Sequence, residues 1–281
     1  MGRPHIEFIQ AQVLPWNKGV PGNARPDVEY KEFSADPDTA ESSALQRFPA
    51  GWSRKEAEYL TVDEEFYVLD GDLEINGNIY GADTFAHLPK GFLRRSASSK
   101  NGAVLLSFLG GKVDAVKSDK AGPGYDPARL VERIDVAEGD WKMDLKAMGL
   151  AEISGTSRNR LLFQDPANGD MTYLTGSPPF KYETKTERHP VVQEFYLLNG
   201  EVAGNTGLMQ AGAYCWRPPH VTHGPYGNKS GALFILRSVG GPLTTEVDAA
   251  PVKYTYEPGH NPILPPHLVK LSKPLQRRPR Y

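Results

Sequence analysis

The chain has 281 residues, with 32 Lys+Arg against 34 Asp+Glu and a formal net charge of -2. That balance gives no broad basic surface for nucleic acid or an anionic membrane. No run approaches the roughly 18 to 20 apolar residues that a spanning helix needs. The 28 glycines and 24 prolines interrupt helices, so short strands joined by tight turns are expected, in two domains by length.

The opening residues, MGRPHIEFIQAQ, lack the apolar run of a signal peptide. A single cysteine, Cys215, excludes an internal disulfide framework and any cysteine-only zinc site. A cytoplasmic protein is the expectation. Residues 1–45 read as an N-terminal arm, 46–113 as a first barrel, and 114–150 as a linker rich in Asp, Lys and Gly, with Trp141-Lys142-Met143-Asp144-Leu145. Residues 151–245 read as a second barrel and 246–281 as a proline-rich arm over the other barrel or a partner subunit, ending Arg277-Arg278-Pro279-Arg280-Tyr281.

This division rests on a repeat. Glu65-Phe66-Tyr67-Val68-Leu69-Asp70-Gly71 reappears as Glu194-Phe195-Tyr196-Leu197-Leu198-Asn199-Gly200, an offset of 129 (194 − 65). The same offset carries Glu58 onto Glu187 and Pro89 onto Pro218. Phe66–Leu69 and Phe195–Leu198 have strand composition, and the Asp-Gly or Asn-Gly that follows is turn chemistry. Ala103–Leu109 matches Ala232–Leu236. The fold class that follows is all-β, two tandem barrels, since closure is how such sheets dispose of their edges.

The chemistry concentrates in the second copy. Glu187 and His189 are two apart, so on a strand both face one side. Glu194 follows on the next strand, and His223 leaves the turn Pro218-Pro219-His220-Val221-Thr222-His223. Imidazole and carboxylate suit zinc, iron, manganese, nickel or cobalt. Tyr196 shares the parity of Glu194, which would place a phenol near the same interior. Arg217 and Arg237 are candidates to bind a carboxylate or enolate. Cys215 reads as a small buried hydrophobe. In the first copy Leu60 and Arg94 stand where His189 and His223 stand in the second, while Glu58 and Glu65 remain. Leucine cannot ligate, so this barrel is expected to hold no metal, with Arg94 paired to Glu65 or Glu58.

These residues resemble the two motifs of the cupin superfamily, G-x5-H-x-H-x(3,4)-E-x6-G and G-x5-P-x-G-x2-H-x3-N. The first survives as Glu187-x-His189-x4-Glu194-x5-Gly200, with Glu for the first histidine. The second runs Gly212-x5-Pro218-x-His220-x2-His223, with His220 where glycine is usual. The resemblance implies two jelly-roll barrels, a bicupin with a degenerate N-terminal barrel, and metal ligands His189, Glu194 and His223. Glu187 becomes either a fourth ligand or a proton acceptor, and His220 a spare donor or acid/base. Glu187, His220 and Tyr196 are then the candidate catalytic groups. One divalent ion per chain is implied, iron ahead of zinc, manganese or nickel. Similar proteins include dioxygenases, decarboxylases, cyclases and anti-sigma-factor-like sensors. The leading expectation is an iron dioxygenase of a small oxygenated or aromatic substrate, with a homodimer as a further possibility. A zinc cyclase, isomerase or lyase, or a non-catalytic metal sensor, stays open.

Overall fold

The computed structural model describes residues 2–141 and 157–276. The expected linker residues Lys142–Leu145 and the tail Arg277–Tyr281 lie outside these. Strands dominate, and the longest helix among the described residues is Pro266–Val269. None is long and apolar enough to cross a membrane. The chain divides into two compact units. One comprises Met1–Arg3 with Pro15–Gly139, the other Pro4–Leu14 with Asp140–Tyr281.

In the first unit the main sheet runs Val131–Asp135, Thr84–Leu88, Glu64–Ile75, Ala103–Leu109, Ser42–Phe48, Glu29–Ala35, Asn17–Lys18. Strand alternation sends Phe66 and Val68 into a core with Leu105, Leu73, Ile75 and Tyr80. Each fully buried side chain of this size contributes about 1.5–3 kcal/mol.

The second unit's sheet runs Ile6–Gln10, Ala213–Arg217, Val192–Gly204, Ala232–Val239, Met171–Ser177, Arg158–Gln164. Three of these strands begin and end 129 residues after a strand of the first unit: Thr84–Leu88 with Ala213–Arg217, Ser42–Phe48 with Met171–Ser177, and Glu29–Ala35 with Arg158–Gln164.

At one edge of each sheet the strands differ in origin. In the first unit Val131–Asp135 pairs with Thr84–Leu88. In the second, Ile6–Gln10 pairs with Ala213–Arg217. The expected N-terminal arm therefore supplies a strand to the second unit and Glu29–Ala35 to the first. Two segments of the expected linker are strands: Ala115–Lys117 pairs with Glu58–Leu60, and Val131–Asp135 with Thr84–Leu88. From the expected C-terminal arm, Glu246–Val247 pairs with Glu187–Arg188.

Asp70-Gly71 and Asn199-Gly200 do not end their strands, which run on to Ile75 and Gly204. They form β-bulges instead, with register shifts opposite Val104/Leu105 and at Leu197/Asn199. Gly71 and Gly200 have φ of +73° and +85°, and a Cβ there would lie 2.0 and 2.1 Å from the carbonyl oxygens of Gly102 and Gly231. Only glycine fits so close a backbone approach.

Candidate metal centre

Glu187, His189 and His223 are all buried, and one ligating atom from each lies within 4.8 Å of the others. Backbone bonds hold the two segments together. Glu187 N donates to His223 O (3.0 Å), His223 N to Glu187 O (2.9 Å), and His220 N to His189 O (2.7 Å). The prolyl turn is thereby pinned across the Glu187–Arg188 strand.

Each histidine has one nitrogen committed. His189 Nδ1 lies 2.9 Å from the Thr244 carbonyl and His223 Nδ1 3.0 Å from the Val221 carbonyl. A carbonyl only accepts, so both Nδ1 atoms carry the proton and both Nε2 atoms present lone pairs. Fixing the tautomer by such a partner is how metal-ligating histidines are oriented.

His189 Nε2, His223 Nε2 and Glu187 Oε2 are buried without a hydrogen-bond partner. His223 Nε2 stands 3.3 Å from Glu187 Oε1, acceptor facing acceptor. Three orphaned lone pairs converging in a desolvated site are costly unless a cation or proton sits among them. Burial holds His189 at about 4 and His223 at about 3. Both imidazoles are thus neutral at ordinary pH, the state that ligates. Burial also pushes the Glu187 carboxyl above the usual carboxylate range, against the pull of His189 and Arg217. The donor set fits a divalent transition ion.

Glu194, expected as a ligand, is not in this cluster. Its Oε1 accepts from Tyr214 OH (2.6 Å) and its Oε2 from Arg237 Nη1 (2.7 Å). Its neighbours Gln193 and Phe195 line the interior cavity, and strand alternation turns Glu194 to the opposite face. The sequence carried the signal: six residues between acid and glycine, as the motif's E-x6-G requires, place the acidic position seven before Gly200, at Gln193. The partner of Gln193 at the 129 offset is Glu64. Tyr196 shares the face of Glu194 and is buried away from the cavity. His220 is exposed and in the left-handed region (φ +64°), which explains why glycine suits that turn position. It meets the site through its peptide N–H. Arg237 is committed to Glu194.

Arg217, by contrast, lines the cavity and is buried, with a full set of partners. Its Nε and Nη2 donate to Glu7 (2.8 and 2.6 Å), its Nη1 to Gln193 and its Nη2 to Tyr226 OH (2.5 Å). Cys215 is buried and unpaired by disulfide. The cavity is about 100 Å³, with Phe195, Phe234 and Leu236 as its apolar wall and Glu187, Lys181 and Glu183 among its polar groups. Glu183, which the sequence reading missed, lies 2.9 Å from Lys181. Burial raises its carboxyl to about 7 against the opposing charge of Lys181.

The first unit fills the equivalent place differently. Leu60 is buried, and Arg94 bonds Glu64 (2.8 Å), not Glu65 or Glu58. Arg25 bonds the same carboxylate. Glu65 faces His87 (3.2 Å).

Residues 138–240 match a family model described as the ChrR cupin-like domain. A candidate dioxygenase from Nostoc punctiforme superposes with a TM-score of 0.77 at 16% identity, covering 89% of this chain and 92% of that one. The chain has the fold of two tandem jelly-roll barrels. Oxalate decarboxylase from Bacillus subtilis is also similar to this chain, at 12% identity and TM-score 0.54, over 88% of this chain and 79% of that one. A salicylate 1,2-dioxygenase variant from Pseudoaminobacter salicylatoxidans matches at 10% identity and TM-score 0.52, over 75% and 76%. At these identities the likeness establishes the fold alone. No curated protein sequence matches the chain.

Proposed function

We propose that this chain binds one divalent metal ion through Glu187, His189 and His223 of its second unit and acts as an iron-dependent oxygenase on a small oxygenated or aromatic molecule. The observation that carries the reading is the convergence of two neutral imidazole Nε2 atoms and one carboxylate oxygen, all buried and unpartnered, beside an apolar-walled cavity. Two histidines and one carboxylate leave coordination positions open, the arrangement of non-haem iron oxygenases. Bound iron would supply Lewis acidity and one-electron chemistry with dioxygen.

The chain's own residues do the rest. Thr244 and Val221 carbonyls fix the imidazole tautomers. Phe195, Phe234 and Leu236 exclude water from the cavity and give an aromatic ring apolar surface. Its modest volume suits a small substrate better than a polycyclic one. Glu183, with its carboxyl near neutrality, is the group suited to hold or release a proton at the cavity wall. This role replaces the ones expected for His220 and Tyr196.

The test is oxygen uptake by iron-loaded protein with catechols, flavonols and 1,3-diketones. Uptake with at least one class supports the reading, and silence across all three counts against it. The donor set accepts zinc equally well. Zinc in protein purified without added metal would favour a non-redox cyclase, isomerase or lyase, or a metal sensor.

A further inference from the structure

We infer that Glu7, carried into the second unit by the N-terminal strand, is the counter-charge that allows the Glu187–His189–His223 triad to accept a dication beside the buried guanidinium of Arg217. The inference rests on the metal reading above and adds a residue outside the segment matched by the family model.

Arg217 and Glu187 line the same cavity. Tyr226 joins the two parts of the site: its ring centroid is 6.0 Å from that of His223, and its hydroxyl bonds both Arg217 and Glu7. A fixed positive charge so close to three ligands opposes a second cation, and the burial of Arg217 weakens solvent screening. The neutralising carboxylate does not come from the barrel's own strand. That strand presents Gln193, whose amide oxygen accepts from Arg217 but carries no charge. In the first unit the residue at the same offset is Glu64, which pairs with both Arg25 and Arg94. In the second unit the carboxylate has moved to a different element.

Glu7 is built for this role. It is 2% exposed, takes the guanidinium fork with both oxygens, and accepts a third bond from Tyr226 OH (3.0 Å). Its backbone is anchored on both flanks, by Ile6 opposite Trp216 and by Glu7 N donating to Ile263 O (2.8 Å). Arg217 holds the Glu7 carboxyl well below the usual range despite burial, so it stays ionised.

The test is calorimetric titration of zinc into the metal-stripped full-length chain, with folding checked by thermal unfolding. Glu7→Gln should weaken binding at least tenfold, and Glu7→Gln with Arg217→Met should return it to within about threefold of the wild type. Arg217→Met alone should bind at least as tightly as the wild type, an arm that stands even if Glu7→Gln does not fold. Wild-type affinity in Glu7→Gln, a double variant as weak as Glu7→Gln, or tenfold weaker binding by Arg217→Met would each overturn the inference. A wild-type chain that takes up no zinc would instead remove the metal reading, and this inference with it.

Discussion

Replacing Glu194 by Gln separates the two faces of the strand that bears it. The substitution keeps the shape and removes the charge from a group that is fully buried. Two bonds lose their ionic acceptor, those from Tyr214 OH and Arg237 Nη1. A hydrogen bond to a charged group contributes about 1.5–3 kcal/mol against about 0.5–1.5 for a neutral one. The two changes together cost about 2 kcal/mol. Arg237, whose side chain is 21% exposed, then lacks its carboxylate partner. Breaking a fully buried pair costs about 3–5 kcal/mol, and partial exposure of one partner reduces that. A destabilisation of about 2–4 kcal/mol follows, or roughly 5–15 °C in Tm for a chain of this size. Thermal unfolding followed by circular dichroism reads the shift, and metal analysis of the same sample should give wild-type stoichiometry. A variant that melts like the wild type but has lost its metal would refute the reasoning and restore Glu194 as a ligand.

Two further outcomes follow. His220→Gly relieves a left-handed residue in the ligand-bearing turn, so stability should be unchanged or up to about 1 kcal/mol higher, with metal content and activity retained; collapse of activity would reinstate His220 as an acid/base. In the first unit, burial alone would raise the Glu64 carboxyl, but Arg25 and Arg94 outweigh it and hold it at about 2, below its ordinary 4.5. Its ion pairs therefore stabilise fully above pH 4.5 and are lost as pH falls toward 2. Unfolding titrated between pH 6 and 2.5 should decline more steeply in the wild type than in Glu64→Gln, and equal slopes would contradict this.

Much of the fold was legible because strand composition is local. Phe66–Leu69 and Phe195–Leu198 announce buried strands, and an offset of 129 matches several strand bounds to the residue. The bulges were not legible, since Asp-Gly and Asn-Gly serve hairpin turns and bulges alike; only the carbonyls of Gly102 and Gly231 decide between them. The origin of the edge strands was also hidden. Ile6–Gln10 pairs with residues some two hundred positions away, and no local pattern reports such a partner. At the site, His189 and His223 were readable as ligands-in-waiting, and Glu187 by parity with His189. Taking Glu194 as the ligand favoured residue type above spacing, and a one-residue slip on a strand turns a side chain to the other face. The same slip put Glu65, with Glu58, forward as the partner of Arg94 when that partner is Glu64. Glu183 and Glu7 were beyond reach because their neighbours, Lys181 apart, are remote in sequence.

The central claim, that the second unit holds one divalent ion between Glu187, His189 and His223, is tested most directly by anomalous diffraction from crystals of the metal-loaded protein. A single strong peak per chain is expected at that triad, absent from His189→Ala. A peak at Glu58, Glu64 and Arg94 of the first unit, or an occupied site coordinated by Glu194, would contradict it.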